Sequence, residues 1–383
     1  MRRYGIIAVG YNRLESLKRL LTALNQIDDQ GYTILLIISL DFAGMPEIVE
    51  MAEKFHWIHG KKEVKLYQEK QGLRKHILQC GDYLEEYSLD AVAVFEDDIV
   101  PSPAFFNYMR QAVEYYEDNM QIAGISLYTH LWNVNCERPF VPLISRFDVF
   151  FLQFAQSWGQ IWMKKQWTDF KLWYQQNSES FFQAEGVPTH VCQWKDSSWL
   201  KYHIRYCIER NKYFVYPYEA LCTNFTEIGE HNEYSTAFFQ VPLQMDEKKQ
   251  YLFVGLSEAP VIYDSFFENE KIAQNLQISK QELCIDIYGS KVAHEGKRYW
   301  LTTKEVGYQI LRTYGLKVKP QELNIMLEIN GTEIKLYDTE TEQKNLKEKY
   351  LFYRCYDYYF KLSHCAWKDL LKWLKEKIRD RFV

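Results

Sequence analysis

The sequence predicts an α/β fold, with a mostly parallel central sheet carrying helices on both faces, Rossmann-like over its first half, and a smaller C-terminal α+β region. Three observations predict it. Apolar runs at 4–9, 32–38, 64–67 and 91–95 are too short for helices and rich in Val, Ile and aromatic residues, as in strands buried on both faces. Segments with apolar residues at helical spacing alternate with them, which supplies the crossovers a parallel sheet requires. The run at 91–95 ends in three consecutive carboxylates, Glu96, Asp97 and Asp98, at the strand edge where open α/β sheets bind their ligands.

Taken in order, the first strand runs into the polar turn Gly10-Tyr11-Asn12-Arg13. A helix over 14–25 follows, with Leu14, Leu17, Leu20, Leu21 and Leu24 on one face and Lys18 and Arg19 directed outward. The second strand ends at Ser39-Leu40-Asp41, and a short helix covers 46–55. After the third strand, a helix from residue 72 carries Leu73, Ile77, Leu78, Tyr83 and Leu84. The acid-tipped fourth strand leads through Pro101 and Pro103 to a helix over 104–116 and a strand over 122–127. Beyond it the chain turns irregular and aromatic. Residues 160–174 have a helical pattern dense in Trp, 197–211 a second, and 214–217 reads as a short strand. The texture changes near residue 245, giving three expected segments: 1–245, the nucleotide-binding and catalytic half; 246–365, an appended α+β region; and 366–383, an amphipathic helix. Within the second, 283–288 reads as a strand, and 325–337, split by Asn330-Gly331, as a hairpin.

The chain has 383 residues, of which 47% are hydrophobic, enough for a large core without staples. A net charge of -5 argues against a general nucleic-acid binder. The 29 Tyr and 11 Trp suit either flat stacking surfaces for sugars and bases or an aromatic core. The eight cysteines form no CxxC pair, so free thiols in a reducing cytosol are expected. With no signal-peptide pattern and no long apolar run, the expectation is a cytoplasmic protein whose membrane contact, if it has any, is peripheral.

Packed carboxylates repel one another, so Glu96-Asp97-Asp98 calls for a counter-cation unless it is an ordinary acidic exit facing solvent. Hard oxygen ligands suit Mg²⁺ or Mn²⁺, and such ions usually bring a phosphate with them.

Tyr11-Asn12-Arg13, Ser39-Leu40-Asp41, Leu73-Arg74-Lys75-His76, Glu96-Asp97-Asp98 with the following 103–108, Ser157-Trp158-Gly159 and the block 194–199 occur in a telling order and spacing. Through them the chain, from about residue 4 to 231, resembles GT-A fold glycosyltransferases. These are nucleotide-sugar dependent and broadly of the glycosyltransferase family 2 kind, and the likeness extends to the N-acetylglucosaminyltransferase I family and to bacterial enzymes that build surface polysaccharides. The resemblance implies that Asp98 ligates Mn²⁺ or Mg²⁺, with Glu96 and Asp97 touching ribose or donor sugar. It implies nucleotide contacts at Arg13 and Asp41, the latter accepting from the uracil N3–H and so favouring a UDP-sugar. Arg74 and His76 would approach the nucleotide and phosphates, Trp158 and Gly159 would floor the donor sugar, and His231 would reach the metal or diphosphate. Asp196 would be the base of an inverting transfer, its pKa raised by an aromatic pocket. Lys195 stands where the animal enzymes carry a second acid.

Each residue has a plainer reading. Asp41 also reads as a turn residue capping the helix near Pro46, Arg74 and His76 as an exposed helical face, Asp196 as an N-cap, His231 as a solvated loop residue and Trp158 as core. Glu185 is a weaker candidate base. Residues 366–379 place Trp367, Leu370, Leu371, Leu374 and Ile378 opposite a Lys/Arg-rich face. That pattern suits an anionic membrane surface presenting a lipid-linked acceptor, or docking on the protein's own core or a second subunit. The expected activity is transfer of a sugar from a UDP-sugar to a saccharide or lipid-linked acceptor in bacterial surface polysaccharide assembly. The alternatives are a sugar nucleotidyltransferase, against which the absence of a Gly-rich basic loop after the first strand counts, and a non-catalytic carbohydrate-binding protein.

Overall fold

The computed structural model describes residues 2–42, 44–179, 184–225, 237–360 and 371. The chain divides into two compact units, Met1–Lys271 and Ile272–Val383.

In the first unit, β1 (Tyr4–Gly10), α1 (Leu14–Leu24), β2 (Leu35–Leu40), α2 (Pro46–Lys54) and β3 (Lys62–Leu66) alternate as expected. Then come α3 (Leu73–Cys80), α4 (Tyr83–Glu86), β4 (Ala91–Glu96), β5 (Ile99–Pro101), α5 (Phe105–Tyr116) and β6 (Ile122–Ser126). The aromatic stretch folds as β7 (Trp132–Asn133), β8 (Arg138–Pro139), β9 (Val149–Leu152), β10 (Gln160–Met163), α6 (Lys164–Asn177), α7 (Thr189–Cys192) and α8 (Leu200–Glu209). The strands β11 (Tyr213–Pro217), β12 (Cys222–Asn224) and β13 (Ile262–Tyr263) close the unit.

Nine strands form the main sheet in the order β13-β9-β11-β6-β10-β4-β1-β2-β3. It is mostly parallel: β4, β1, β2 and β3 pair in parallel, as do β6 with β11 and β9 with β13. Antiparallel β10 is inserted between β4 and β6. Because side chains alternate along a strand, Tyr4, Ile6 and Ala8 of β1 share one face with Leu36, Ile38, Ala93 and Phe95, and there α1, α2 and α5 contribute Leu17, Leu21, Ile48 and Phe105. The opposite face receives α3, α4, α6 and α8: Ser39 bonds His76 and Tyr83, Trp162 stacks on Trp167 at 3.8 Å, and Phe214 meets His203. Helices thus cover both faces, which is why the central strands are apolar throughout rather than alternating.

Four expectations are corrected. Gln160–Met163 is not the start of a helix but strand β10; all four residues are buried, and a short apolar run looks the same in either state. The helix expected from residue 72 breaks into α3 and α4 at Gly81, where a Cβ would lie 1.9 Å from the Trp167 ring. Arg19 is partly buried rather than outward, its guanidinium 3.6 Å above the Phe225 ring. The first unit also runs past residue 245: Tyr251 and Phe253 pack on Tyr108, and β13 extends the sheet at β9.

The second unit contains α9 (Ile272–Leu276), β14 (Leu283–Asp286), β15 (Tyr299–Thr302), β16 (Tyr308–Tyr314), α10 (Leu323–Met326), β17 (Ile334–Glu342) and α11 (Leu351–Phe360). Its four-stranded sheet has the order β14-β15-β17-β16 around a separate core that includes Leu283, Leu301, Ile325 and Leu336. The hairpin expected over 325–337 is absent among these elements: β17 pairs with β15 and β16, and Ile325 lies in α10. Gly331 is there for close approach, since a Cβ on it would meet Gly315 Cα at 2.3 Å. Seven cysteines are described and all are free thiols.

Three buried histidines set a pH dependence. Burial pushes His76 down to about 4, and His130 and His203 down to about 3. All three are neutral in the fold but protonate near 6.5 when unfolded, so their stabilisation is complete above pH 6.5 and is lost as pH falls through 4 and 3. One pH unit below 6.5, each costs about 1.4 kcal/mol. His203 lies flat on Phe170 at 4.1 Å with neither ring nitrogen hydrogen-bonded among the described residues. His203→Phe is therefore expected to raise Tm at pH 7 and to flatten its fall between pH 7 and 5; an unchanged slope in thermal denaturation across that range would refute the assignment.

Candidate functional site

Strand direction assembles the site. In the parallel registers Gly10 lies opposite Leu40 and Val9 opposite Glu96, so the residues that follow β1, β2 and β4 emerge at one sheet edge. Because β10 is antiparallel, its beginning reaches that same edge, with Gln160 opposite Val94. Arg13, Asp41, Glu96-Asp97-Asp98 and Trp158-Gly159 are thereby brought together although they are far apart in sequence.

The counter-cation demanded by the three acids is, in the first instance, Arg13. It donates a short hydrogen bond to Asp97 Oδ1 and lies 3.4 Å from Asp98 Oδ2. Although burial works against its charge, the two aspartates raise its pKa. Burial, with Asp98 and Asp97 adding repulsion, pushes Glu96 up to about 8. Asp97 is turned inward, 6% exposed, whereas Asp98 keeps 24% of its side chain exposed. Asp98 Oδ1 is buried with no hydrogen-bond partner among the described residues. A carboxylate oxygen left in this state fits a divalent cation. Among the described residues no cluster of three or more His, Cys, Asp or Glu side chains could hold an ion.

The backbone behind Asp98 is fixed by a second small sheet. β5 pairs antiparallel with β12, placing Asn224 opposite Ile99, and the Phe225 amide donates to Asp98 O at 2.7 Å. His231 lies outside the described residues.

Asp41 is buried, and its carboxylate accepts from the amides of Phe42, Gln71 and Gly72 at 2.7–2.9 Å. It therefore clips the end of β2 to the start of α3; it does not cap α2, whose N-cap Met45 makes no side-chain bond. Beside it, Tyr11, Phe42, Met45, Glu50 and Tyr67 line a cleft of about 440 Å³. Lys70 Nζ lies 4.8 Å from the centre of the Tyr11 ring, a cation that sequence patterning did not single out.

His76 is buried, not on an exposed helical face: its Nε2 pairs with Ser39 Oγ at 2.8 Å, and Ser39 Oγ pairs with Tyr83 OH at 3.1 Å. Arg74 leads instead to the region of Asp196, donating to Tyr202 OH at 2.9 Å and to Asp196 O at 3.2 Å. Asp196 sits in a turn ahead of α8, whose N-cap is Trp199, so it is not the helix cap. Its side chain is 98% exposed and accepts from Lys201 Nζ at 3.0 Å. That hydrogen bond lowers its pKa, overturning the expected upward shift from an aromatic pocket. Glu185 is exposed.

The Ser157-Trp158-Gly159 turn is built for close approach. Gly159 has φ +74, and a Cβ there would lie 2.5 Å from Cys222 Sγ. Gln156 Oε1 accepts from the amides of Ser157 and Trp158 at 2.7 and 3.0 Å, and its Nε2 faces His130 Nε2 at 3.0 Å. Gln156 positions the turn, and its place directly before the motif is the only signal the sequence carries for it. Trp158 is partly exposed, edge-on to Tyr128 at 5.0 Å.

No protein-family model and no curated protein matches the chain. Among solved structures it is similar to S. aureus TarS in complex with UDP-GlcNAc, with 13% identity over 60% of each chain and a TM-score of 0.37. It is also similar to the mannosyltransferase PcManGT from Pyrobaculum calidifontis in complex with GDP-Man and Mn²⁺, with 14% identity over 50% of this chain and 51% of that one, and a TM-score of 0.31. GalNAc-T7 with UDP, GalNAc and Mn²⁺ is matched at 9% identity over 57% of this chain and 43% of that one, TM-score 0.40. The chain thus spans about three fifths of the TarS structure it matches. Likenesses at these TM-scores carry no functional argument, and function is read from the chain's own residues.

Proposed function

We propose that the chain is a metal-dependent glycosyltransferase that moves a sugar from a UDP-sugar to a saccharide or lipid-linked acceptor with inversion, in the assembly of a bacterial surface polysaccharide. The observation that carries the reading is Asp98: a carboxylate with one orphaned buried oxygen, at the ligand-binding edge of a mostly parallel sheet. Asp98 would hold Mn²⁺ or Mg²⁺, which supplies Lewis-acid neutralisation of the charge that gathers on a departing diphosphate. Arg13 holds Asp97 and the backbone of the acidic turn in place and tempers the repulsion among the three acids. Tyr11 and Phe42 offer flat apolar surfaces to a base, and Lys70 a cation near it. Gly159, packed against Cys222, holds the turn that would floor the donor sugar, with the Trp158 ring beside it. Asp196, kept ionised by Lys201 and open to solvent, accepts the proton of an acceptor hydroxyl.

Thermal denaturation tests the reading. UDP with Mn²⁺ is expected to raise Tm, on the order of 2.7 kcal/mol of stabilisation at a hundredfold excess over Kd, and UDP with EDTA is expected to raise it far less. Equal shifts with and without the metal would sink it, and a pure sugar binder would ignore the nucleotide altogether.

The reading extends to a cytoplasmic enzyme held on the inner face of the plasma membrane by its basic, amphipathic C-terminal residues 366–383. These lie, apart from Leu371, outside the described residues; no described helix is long and apolar enough to cross a membrane. Supporting a peripheral contact, Phe352 of α11 is 78% exposed and Tyr350 just before it 65%. Deleting 366–383 is expected to abolish flotation with vesicles containing phosphatidylglycerol, and unchanged flotation would remove the membrane from the proposal.

A further inference from the structure

We propose that a row of aromatic rings ending at Trp132 and Phe238, together with a second cleft whose lining residues Leu131 and Val241 lie next to them along the chain, is the subsite for a saccharide acceptor; this rests on the glycosyltransferase reading and names where its second substrate binds. The aromatic surface does not stop at Trp158. Its ring packs on Phe239 at 5.2 Å, Phe239 meets Phe238 at 5.2 Å, and Phe238 meets Trp132 edge-on at 4.5 Å. Tyr128 OH donates to Phe239 O at 2.8 Å, tying the two segments that carry these rings. Phe238 is 53% exposed and Trp132 is partly exposed, so the row of rings leads from the proposed donor floor to the surface.

From the end of that row both segments continue as the walls of a cleft of about 610 Å³, with Thr129 and Leu131 on one side and Val241 and Met245 on the other. Its volume falls within the roughly 300–1,000 Å³ typical of small-ligand sites. The floor is held by the Gln244 amide, which donates to Ala220 O at 2.8 Å, and by the Val241 amide on Thr223 Oγ1 at 3.0 Å. Glu219 and Asp246 present carboxylates at the rim, and Lys249 is anchored between Asp148 at 2.9 Å and Glu219 at 2.7 Å.

The chemistry of this lining selects the ligand class. A pyranose has one face of C–H bonds, which packs on an aromatic ring, and a girdle of hydroxyls, which donate to carboxylates and accept from an ammonium. A purely apolar partner would leave the Asp246 carboxylate unanswered, and a phosphate-rich one would meet the carboxylates of Glu219 and Asp246 with only Lys249, already paired, as a cation. An uncharged saccharide satisfies both halves of the lining, and the Phe238–Phe239–Trp158 row of rings connects it with the proposed donor floor.

Saturation-transfer NMR on the full chain tests this, using methyl glycosides of glucose, galactose, mannose and N-acetylglucosamine at millimolar concentration with UDP and Mg²⁺ present. At least one glycoside is expected to receive saturation through its ring protons. Phe238→Ala, at an exposed position, and Trp132→Ala are each expected to weaken that binding about tenfold, while Trp132→Phe, which keeps a ring, retains it. UDP–Mg²⁺ affinity stays unchanged in all three variants. Saturation of none of the four glycosides, or equal binding by Phe238→Ala, overturns the subsite. If UDP–Mg²⁺ does not bind the wild-type chain, the glycosyltransferase reading fails while the glycoside signal still reports on the cleft.

Discussion

Asp98→Asn is expected to lower sugar transfer from a UDP-sugar by about 10²–10³-fold while leaving the fold as stable as before or slightly more so. The opposite signs follow from one geometry. Asp98 shares its turn with Asp97 and sits beside Glu96, whose carboxyl is already pushed up to about 8 by burial and by these two neighbours. Asn keeps the shape of Asp98 and removes one of the three charges that repel, which offsets the loss of its longer, 3.4 Å contact with Arg13. Arg13 remains bonded to Asp97, its nearer partner. What the substitution does remove is the anionic ligand that the orphaned Oδ1 offers to a divalent cation. Transfer assays with excess Mn²⁺, alongside thermal denaturation of the same preparations, separate the two effects. Wild-type turnover in Asp98→Asn would take the metal away from this residue and would leave the acidic turn as a structural ion-pair network.

The central sheet was legible because strands buried on both faces announce themselves as uninterrupted apolar runs, as 91–95 does before Glu96. β10 was not, because Gln160–Met163 adjoins a true helix and four apolar-rich residues carry no period of their own. Its misreading matters for the site: only an antiparallel strand at this position carries Trp158 and Gly159 to the edge where β1 and β4 end. The acidic turn was visible as a cluster, but its first counter-charge, Arg13, lies 84 residues away in the chain, a pairing that only the β1–β4 register creates. Asp41 and His76 illustrate the opposite limit. A buried carboxylate bonded to amides of Gln71 and Gly72, and a buried imidazole bonded to Ser39, have the same sequence appearance as ligand-facing residues, because burial comes from elements elsewhere in the chain. The aromatic pocket expected around Asp196 fails for the same reason in reverse: flanking tryptophans suggested it, yet the turn before α8 leaves the carboxylate in solvent beside Lys201.

Arg13→Ala should be the most damaging single change to the fold near the site, and its cost should depend on both pH and metal. The variant leaves Asp97, 6% exposed, without the guanidinium that answers its charge. Removing one partner of a buried pair costs roughly 3–5 kcal/mol, and the 27% exposure of Arg13 puts the expected loss toward the lower end of that range. Arg13 also lowers the pKa of Glu96, so its removal lets burial and the two aspartates push that carboxyl higher still. A carboxyl whose pKa is raised in the folded state favours folding most fully below its unfolded pKa, near 4.3, and loses that advantage as pH rises through the folded value. The deficit of Arg13→Ala relative to wild type should therefore widen between pH 6 and pH 9 in urea titrations. Mn²⁺ offers the acids a replacement cation, so it should stabilise Arg13→Ala more than it stabilises wild type, and Arg13→Lys, which keeps the charge but not the guanidinium geometry, should fall between them. A deficit that is constant with pH and indifferent to Mn²⁺ would mean that Arg13 acts through packing at the start of α1 rather than through its charge.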